Sequence, residues 1–443
     1  MAAAKSGGGP YSYTLMIVYI NVALYATCYQ IQRPLEPFLV EKLLTSGDAS
    51  DEYARLQSFF SIIQTVGSFV SGRCLDYLGP KGGFIICFLA SAASYALLSQ
   101  ATTLNILYMS KIPTIFQAGF LCAQVAAAQA TSDGAERVAA LGRLTMSYTV
   151  GSVLGPTIGG LLGASGDYYL GAKLAVAGSL LSVLLSLLMP NGGPNGRVSS
   201  EDDLDTVGAD ADKDKEKDKK EERVIPSTWA VVGAVWLFLS TKVITSVANA
   251  MASAAFPLIL KNNYGMDEKQ LGFSMSSMSA CNAVVNGLFL APIVRMVGGE
   301  LKTVITYCIL AMTALSALQA VVSTPAALAF SPALSGGMYE YLGLSFLLSI
   351  FQYVLSTTIT GESTARVGPD GKGTLLGLEH SLFSLARVGA PQAGVMLLKT
   401  GGVSAVSAAC AFVFTAVYGL WTCFKDQKVV TIKGQSEEER KGR

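Results

Sequence analysis

The chain of 443 residues is poor in charge, has one histidine and lacks a cysteine pattern that could hold a metal ion or a disulfide framework. Only 14% of its residues are charged, against roughly 25% in ordinary soluble domains. The formal net charge is +1, so charge gives no reason to expect a nucleic-acid partner. No nucleophile–base pair, metal-ligand cluster or phosphate-binding loop is evident. We therefore expect neither an enzyme nor a bound cofactor.

The N-terminal sequence MAAAKSGGGPYSY also lacks the charged segment, short apolar core and cleavage site of a signal peptide. We therefore expect the first apolar helix to be retained. Apolar sequence is abundant, since 51% of residues are hydrophobic and the mean hydropathy is +0.45. These values predict a multi-pass membrane protein.

Twelve apolar runs are long enough to cross a bilayer, which takes about 20 helical residues. They lie near residues 14–40, 54–78, 83–102, 105–131, 137–163, 169–189, 229–260, 270–296, 302–323, 338–366, 373–398 and 402–424. The sequence thus predicts an all-α membrane protein with a six-helix half over 1–190 and another over 229–424. We interpret the charged segment 191–228 as a disordered cytoplasmic linker, because it has almost no apolar residues that could form a core. Residues 425–443 are interpreted as a cytoplasmic tail.

The two predicted halves contain related helices. The glycine-rich stretch 142–162 matches 377–397 at an offset of 235 positions, and residues 72–79 match 291–298 at an offset of 219. Six-helix units have the same topology in both copies, so the sequence predicts a parallel repeat with a binding cavity between the halves. The two copies are not identical. Gly151 and Ser152 of the first copy correspond to Ala386 and Arg387 of the second, so the second copy has an additional charge deep in its helix.

Basic residues concentrate in one set of predicted loops, which indicates that this set is cytoplasmic. They are Arg73, Lys81, Arg137, Arg143, Arg295, Lys302, Arg366 and Lys372. Both termini and the linker are then expected on the cytoplasmic side. The protein is expected to be a monomer in a lipid bilayer, either the plasma membrane or an organelle membrane.

Three of these segments resemble motifs of the major facilitator superfamily, and the resemblance covers essentially the whole chain. Gly72-xxx-Asp76-xx-Gly79-Pro80-Lys81 is similar to the signature between the second and third helices. Residues 107–119 resemble the drug–proton antiporter pattern of the fourth helix, with Lys111 where that pattern has arginine. Residues 151–160 resemble the exporter motif of the fifth helix. The resemblance implies twelve helices in two halves and export by alternating access.

The chain is also similar to the tetracycline-transporter-like branch of the organic-cation-transporter-like solute carriers. The matching residues lie at 136–144, 373–378 and 387–394. This resemblance implies a link to organic cation efflux and leaves the substrate undefined.

Gating is expected to involve the signature segment and the glycine-rich helix. A carboxylate at Asp76 can pair with a neighbouring cation in one conformation only, which gives the differential contact that a switch requires. An ordinary loop salt bridge is the alternative. The candidate gating residues are Asp76, Arg73, Lys81, Arg143, Gly151, Gly155, Pro156, Gly159 and Pro391.

Lys242 and Arg387 lie deep in predicted helices, where a charge is costly unless it faces a cavity or a partner. Each is therefore either a substrate ligand or half of an ion pair with Glu379 or Glu362. Their depth favours an anionic or zwitterionic cargo, against the cation that the resemblance implies. The candidate substrate-binding residues are Lys242, Arg387, Asn249, Asn282, Asn286, Tyr25, Tyr29, Gln30, Gln117 and Gln124.

Three titratable residues near the predicted cytoplasmic ends of the tenth and eleventh helices could carry a coupling proton, namely Glu362, Glu379 and His380. A further pair, Arg33 and Glu36, is expected to form an ion pair at i, i+3. The leading hypothesis is a secondary active transporter that exchanges a small organic solute for protons. The alternatives are an uncoupled uniporter and a transport-inactive membrane sensor or scaffold.

Overall fold

A computed structural model describes residues 10–131, 134–190, 228–289, 300–324 and 337–425, together with Pro292 and Arg295. The side chains of Arg73, Asp76, Asn286 and His380 lie outside the described part, as do some others within these ranges. The predicted linker over 191–228 and the predicted tail over 425–443 also lie outside it, apart from Thr228 and Lys425. Within the described residues, all regular secondary structure is helical.

The described residues form eleven α-helices in two segments. The N-terminal segment, residues 10–190, contains α1 Pro10–Ile31, α2 Glu36–Leu43, α3 Ala49–Ser99, α4 Leu104–Lys111, α5 Gly119–Gln129, α6 Gly134–Gly163 and α7 Leu170–Leu187. The C-terminal segment, residues 228–425, contains α8 Thr228–Leu258, α9 Glu268–Val284, α10 Leu301–Val322 and α11 Met338–Phe424. Gly402, with φ of 68°, interrupts the helical backbone within α11, so this long run is not one straight helix.

Eight helical stretches among the described residues are long and apolar enough to span a membrane. They are Tyr13–Ile31, Tyr77–Ser99, Leu104–Ala127, Leu170–Leu187, Val231–Asn263, Leu301–Val322, Met338–Ser363 and Ser381–Phe424. Large apolar side chains such as Leu184, Met396 and Phe412 are exposed along them, as expected for a surface that faces lipid. The fold is that of an all-helical, multi-pass membrane protein, and the count of twelve spans stays a prediction.

A tight turn within α3 joins the predicted second and third spans. Gly79 has φ of 67° and ψ of 177°, a conformation that is readily accessible only to glycine. Pro80 follows, and its fixed φ suits the first turn of the helix that continues to Ser99. The signature segment is therefore helical on both sides of a turn at Gly79.

The predicted fourth span is interrupted between α4 and α5. A 3-10 turn that contains Pro113 follows Lys111, and α5 begins only at Gly119. The turn packs tightly against α3, because a Cβ atom on Gly67 would lie 2.3 Å from the carbonyl oxygen of Ile115. The glycine at position 67 is thus what allows the interrupted helix to pack against α3.

The glycine-rich α6 packs directly on the backbone of α1. Ideal Cβ atoms on Gly151, Gly155 and Gly159 would lie 2.5, 2.5 and 2.1 Å from atoms of α1 or its end. Carbon atoms do not approach other atoms so closely without a bond, so these positions exclude any side chain. Small residues permit such contacts between membrane helices, where dispersion rather than the hydrophobic effect holds helices together.

On its other side α6 crosses α9 and so joins the two segments. A Cβ atom on Gly160 would lie 2.5 Å from the carbonyl oxygen of Glu268, and one on Gly272 would lie 2.3 Å from that of Pro156. Beside this crossing, the hydroxyl of Thr157 donates a hydrogen bond to Ser276 at 2.7 Å. A comparable contact recurs within the C-terminal segment, where a Cβ atom on Gly394 would lie 2.5 Å from the carbonyl oxygen of Met251 in α8.

Replacing Gly159 with alanine should destabilise the protein by about 1–3 kcal/mol, since overpacking would force α6 away from α1. The matched control is Gly142→Ala in the same helix, where a Cβ atom would meet nothing within 4 Å. We expect this control to leave stability unchanged or to raise it slightly, because alanine is the better helix former. Thermal unfolding of the purified protein in detergent measures both effects. Equal stability of the two variants would contradict the packing described for α6.

Candidate functional site

A cavity of about 310 Å³ lies where α1 and α6 face the C-terminal segment. Sites for small molecules commonly have volumes of roughly 300–1,000 Å³. The N-terminal segment contributes Gln30, Arg33, Ser152 and Pro156 to its walls, and α8 to α11 contribute the rest of the described lining. We call this space the central cavity.

Two arginines are the charged residues among the described lining of the central cavity, namely Arg33 after α1 and Arg387 in α11. Both are half-buried. The guanidinium group of Arg33 lies close enough to that of Arg387 to repel it electrostatically, which places the two arginines in one neighbourhood. The guanidinium of Arg387 also lies 5.5 Å from the ring centroid of Phe383. The described walls therefore make the cavity positive.

The remaining described walls combine aliphatic, sulfur-containing, aromatic and uncharged polar side chains. The aromatic residues are Phe256, Tyr341, Tyr353, Phe383 and Phe414. The polar residues are Gln30, Ser152, Ser246, Asn249, Ser253, Ser279, Asn282, Ser316, Gln319, Ser345, Ser349, Gln352 and Ser407. Ser316 Oγ and Gln352 Oε1 are buried and lack a hydrogen-bond partner within the described part of the chain. Such groups can bind a polar ligand or water.

Lys242 does not line the central cavity and lies in a buried ion pair. Its ammonium donates hydrogen bonds to the carboxylate of Glu379 and, at 2.6 Å, to Thr360 Oγ1. Ser363 Oγ donates to the other oxygen of Glu379 at 3.4 Å. The Lys242 and Glu379 side chains are 19% and 6% exposed, so each charge is compensated mainly by its partner. The sequence left Glu379 and Glu362 as possible ion-pair partners of Lys242, and the partner in the structure is Glu379.

The other carboxylates predicted to pair with arginine have different partners from those expected. Glu362 forms an ion pair with Arg366 at 3.1 Å rather than with Arg387. The expected pair of Arg33 with Glu36 is replaced by an ion pair between Glu36 and Lys111. Gln57 Nε2 also donates to Glu36, at 2.6 Å. The carboxylate of Glu36 is engaged by α3 and α4 and forms no ion pair with Arg33, although both residues border the smaller cavity described below. Arg33 lines the central cavity as well.

The predicted substrate-binding residues are distributed over several places. Gln30, Asn249, Asn282 and Arg387 line the central cavity. Tyr25 packs on Gly119 and donates to the carbonyl of Gln117 at 3.2 Å within the N-terminal segment. Tyr29 and Gln117 border a separate cavity of about 40 Å³ beside the Glu36–Lys111 pair, and Gln124 is half-buried in α5. The side chain of Asn286 is outside the described ones.

The predicted gating and coupling residues are also dispersed. Gly151, Gly155, Gly159, Pro156 and Pro391 are buried in helix contacts, and Pro156 lines the central cavity as well. Lys81 is half-buried and Arg143 is exposed. The side chains of Arg73, Asp76 and His380 lie outside the described ones, so their predicted roles stay predictions.

Sequence reasoning missed Arg33 as a cavity residue. Glu36 follows Arg33 by three positions, and this spacing suggested that Glu36 neutralises the charge of Arg33 in an ion pair. A second signal was present, because Arg33 follows Gln30 by three positions and both reach the cavity from the end of α1. The serines of α8 to α11 were also missed, since single serines are common in membrane helices and carry little sequence signal.

Ion pairs connect the two segments at the end of the bundle where α1 ends, which we call the distal end. Lys399 in α11 lies 3.2 Å from Asp48 and 2.6 Å from Asp51 at the start of α3. Lys261, after α8, forms an ion pair with Glu41 in α2. Two hydrogen bonds add to these, Asn262 to Ser50 at 3.4 Å and Tyr168 to Glu268 at 2.6 Å. We call these inter-segment pairs the distal contact set.

The ion pairs of the distal contact set are partly exposed, so water and salt weaken them. The Asp48 carboxylate is one charged group whose ionised form is stabilised there. Partial burial opposes the charged form, but hydrogen bonds from Lys399 and from the backbone amides of Ser50 and Asp51 outweigh it and lower the pKa of Asp48. The contribution of this carboxylate to stability is therefore present above its ordinary pKa range and is lost as the pH falls through the lowered pKa. At neutral pH the pair is formed.

Comparison with known proteins gives one family. The sequence profile of the Major Facilitator Superfamily matches residues 18–391. The chain is 26% identical over 399 residues to solute carrier family 22 member 18 of Mus musculus, which covers 88% of this chain and 90% of that protein. It is 27% identical over 177 residues to the class H tetracycline resistance protein of Pasteurella multocida, over 40% and 44% of the two chains.

Solved structures share the fold at low sequence identity. A human organic anion transporter superposes with a TM-score of 0.59 at 16% identity, over 93% of this chain and 100% of that one. A peptide transporter in complex with sulfate superposes with a TM-score of 0.66 at 13% identity, over 93% of each chain. At these identities the similarity concerns the fold alone.

The Lys242–Glu379 pair predicts strongly non-additive mutations. Lys242→Met and Glu379→Leu should each lower stability by about 3–5 kcal/mol, since each leaves one buried charge without its partner. The double variant Lys242→Met, Glu379→Leu should recover most of that loss, because neither charge then remains buried. A double-mutant cycle by thermal unfolding measures the coupling. Lys173→Ala, which breaks the exposed pair with Asp167, is the control and should change little. Additive losses at Lys242 and Glu379 would contradict the pairing.

Proposed function

Because this chain belongs to the major facilitator superfamily, we propose that it is a secondary active transporter that moves a small organic solute by alternating access. The observation that carries the proposal is the central cavity, which is lined by residues of both segments. The same two segments also meet through partly exposed ion pairs at the distal end. A cavity so placed can open to either face of the membrane when the segments rock against each other.

The proposal includes twelve helices in two six-helix halves related by a parallel repeat. Gly159 and Gly394, which match in the repeat, make the same kind of backbone contact, with the end of α1 and with α8. Two matched pairs also meet at the cavity. Ser152 and Arg387 are 235 positions apart, Gln30 and Asn249 are 219 apart, and all four line it. These correspondences support an internal symmetry about the cavity.

In this proposal the distal contact set is the gate that closes the distal face. Its ion pairs are partly exposed, and such pairs contribute little each, with typical values of about 0–1 kcal/mol. Several weak pairs can hold one conformation and still be exchanged for other contacts, which is what a two-state transporter requires. By the distribution of basic residues, both termini are on the cytoplasmic side, so the gate would face away from the cytoplasm.

Proton-coupled antiport is the proposed mode of coupling, with Glu379 as the group that takes up the proton. A proton on its carboxylate would release Lys242, and the freed ammonium would then require a new partner. The similarity to tetracycline resistance proteins supports export against a gradient. An uncoupled uniporter is the alternative, and it is favoured by one observation: Glu362 and Glu379 are both engaged by cations.

Cross-linking the distal end should stop transport. The reacting pair is Ser50→Cys with Asn262→Cys, whose native side chains are 3.4 Å apart across the two segments. A short bifunctional thiol reagent should abolish uptake into proteoliposomes of whichever solute the wild type moves. The control pair, Asp167→Cys with Lys173→Cys, lies within one segment and should remain active after the same treatment. Full activity of the cross-linked first pair would overturn the gate.

The coupling mode is tested with proteoliposomes, an imposed pH gradient and a panel of aromatic acids, amines and neutral amides. Antiport predicts that the gradient drives accumulation in the wild type. Glu379→Gln should lose this accumulation but keep solute exchange in the absence of a gradient, because the amide cannot take up a proton and can still accept a hydrogen bond from Lys242. Its thermal unfolding is recorded as well, since the variant leaves the Lys242 ammonium without its anion. Asp167→Asn is the matched control and should accumulate normally. Exchange that ignores the gradient in the wild type would establish uniport instead, and a folded protein that moves no solute would refute transport.

A further inference from the structure

We propose that the central cavity binds aromatic organic anions, with the acid group held between Arg33 of the N-terminal segment and Arg387 of the C-terminal segment. This inference rests on the proposed transport function and names the chemical class of its substrate.

Charge compensation divides the largely buried cations of the described chain into two groups. Lys111, Lys242 and Arg366 each have a carboxylate partner, which is Glu36, Glu379 and Glu362 respectively. Arg33 and Arg387 have no ion pair within the described part of the chain, and both line the cavity. A charge in an apolar surrounding requires a partner or water. An anion in the cavity would supply that partner to both arginines at once.

The described lining residues of the central cavity include no aspartate or glutamate that could compete with an anionic ligand for the arginines. An organic cation entering such a cavity would meet two like charges, and repulsion at short range is strong where water is scarce. The described walls therefore select against the cationic cargo that the sequence resemblance implies.

The guanidinium group is well suited to bind a carboxylate. Arginine presents donors in a planar fork that matches a carboxylate, and such hydrogen bonds are about twice as strong as neutral ones. The aromatic rings of Phe383 and Phe414 can cover the flat body of a ligand, while Ser316 and Gln352 offer unpaired polar atoms to a second substituent. The matching ligand is an aromatic ring system that carries a carboxylate.

The arrangement also gives a reason for the anion to influence conformation. Without a ligand, two positive groups from different segments face the same space and repel each other. A bound carboxylate replaces that repulsion with attraction to both segments. An anion should therefore be bound more tightly when the segments close around it, which is the differential affinity that a population shift requires.

The test is a binding series on the purified full chain in lipid nanodiscs. The probes 2-naphthoate, 2-naphthamide and 2-naphthamidine share one ring system and are anionic, neutral and cationic. Each is titrated at up to millimolar concentration while the thermal unfolding midpoint is recorded, because a ligand of the folded state raises it. We expect 2-naphthoate to raise the midpoint and the amidine to leave it unchanged, with the amide at most weakly active.

Arg33→Gln and Arg387→Gln identify the site, and Arg55→Gln is the control for the same substitution at an exposed position. Each cavity variant should weaken 2-naphthoate binding by about tenfold or more, the loss expected for a hydrogen bond between charged groups. The control should bind like the wild type. Without ligand, the cavity variants should unfold at an unchanged or higher temperature, because neither arginine has an ion pair to lose within the described part of the chain. A structural role for either arginine predicts a lower temperature instead.

Several outcomes would overturn the inference. They are binding of the amidine as tight as that of the acid, unchanged 2-naphthoate affinity in both cavity variants, or no response to any member of the series. If Arg387→Gln fails to fold, Arg387→Lys keeps the charge, and it should bind 2-naphthoate more weakly than the wild type. The test distinguishes this inference from the proposed transport function. Flux of amines or amides without anion binding would overturn the anion site and support transport. Anion binding without flux would leave the site standing.

Discussion

The cost of placing charge inside an apolar bundle is the constraint on which the rest of this molecule depends. Each deep cation must meet an acid or face a space that a ligand or water can fill. Lys242 meets Glu379, and Lys111 meets Glu36. Arg33 and Arg387 instead face the central cavity. Charge compensation thus separates residues that hold helices together from residues that are available to a substrate.

Helix packing determines where Arg33 and Arg387, the two cavity arginines, lie. The glycines of α6 bring its backbone against α1 on one side and against α9 on the other. Because no side chains separate these helices, Ser152 and Pro156 border the same space as Gln30, Arg33 and the C-terminal segment. The small residues of α6 therefore act on the site indirectly, by setting the width of the gap between the segments.

The contacts between the segments combine two kinds of interaction with different consequences. The glycine contacts of α6 with α9 are short-range and depend on shape, so they define where the two segments cross. The ion pairs of Lys261 and Lys399 at the distal end are partly exposed and are weakened by salt. Glu268 takes part in both, since its backbone lies against Gly160 and its carboxylate accepts a hydrogen bond from Tyr168. The two segments therefore meet through shape-dependent and salt-sensitive contacts at the same end.

Local sequence properties determined the class of this protein. Long apolar runs predict membrane helices, since any backbone in lipid must satisfy its own hydrogen bonds, and the glycine-rich stretch with its repeat predicted close packing of α6. The motif around Gly79 and Pro80 likewise lies between two predicted spans, and the structure places a turn there. Such features depend only on residues that are near one another in the chain.

The partners of the buried charges were decided by the tertiary structure alone. Nothing in the sequence distinguishes Glu379 from Glu362 as the partner of Lys242, because the two acids are 137 and 120 positions away and both lie near the same helix ends. Glu36 lies three positions from Arg33, yet it pairs with Lys111 from α4. Ion pairing depends on distance in space, and side chains that are remote in the chain compete with local ones. That competition left Arg33 and Arg387 at the cavity.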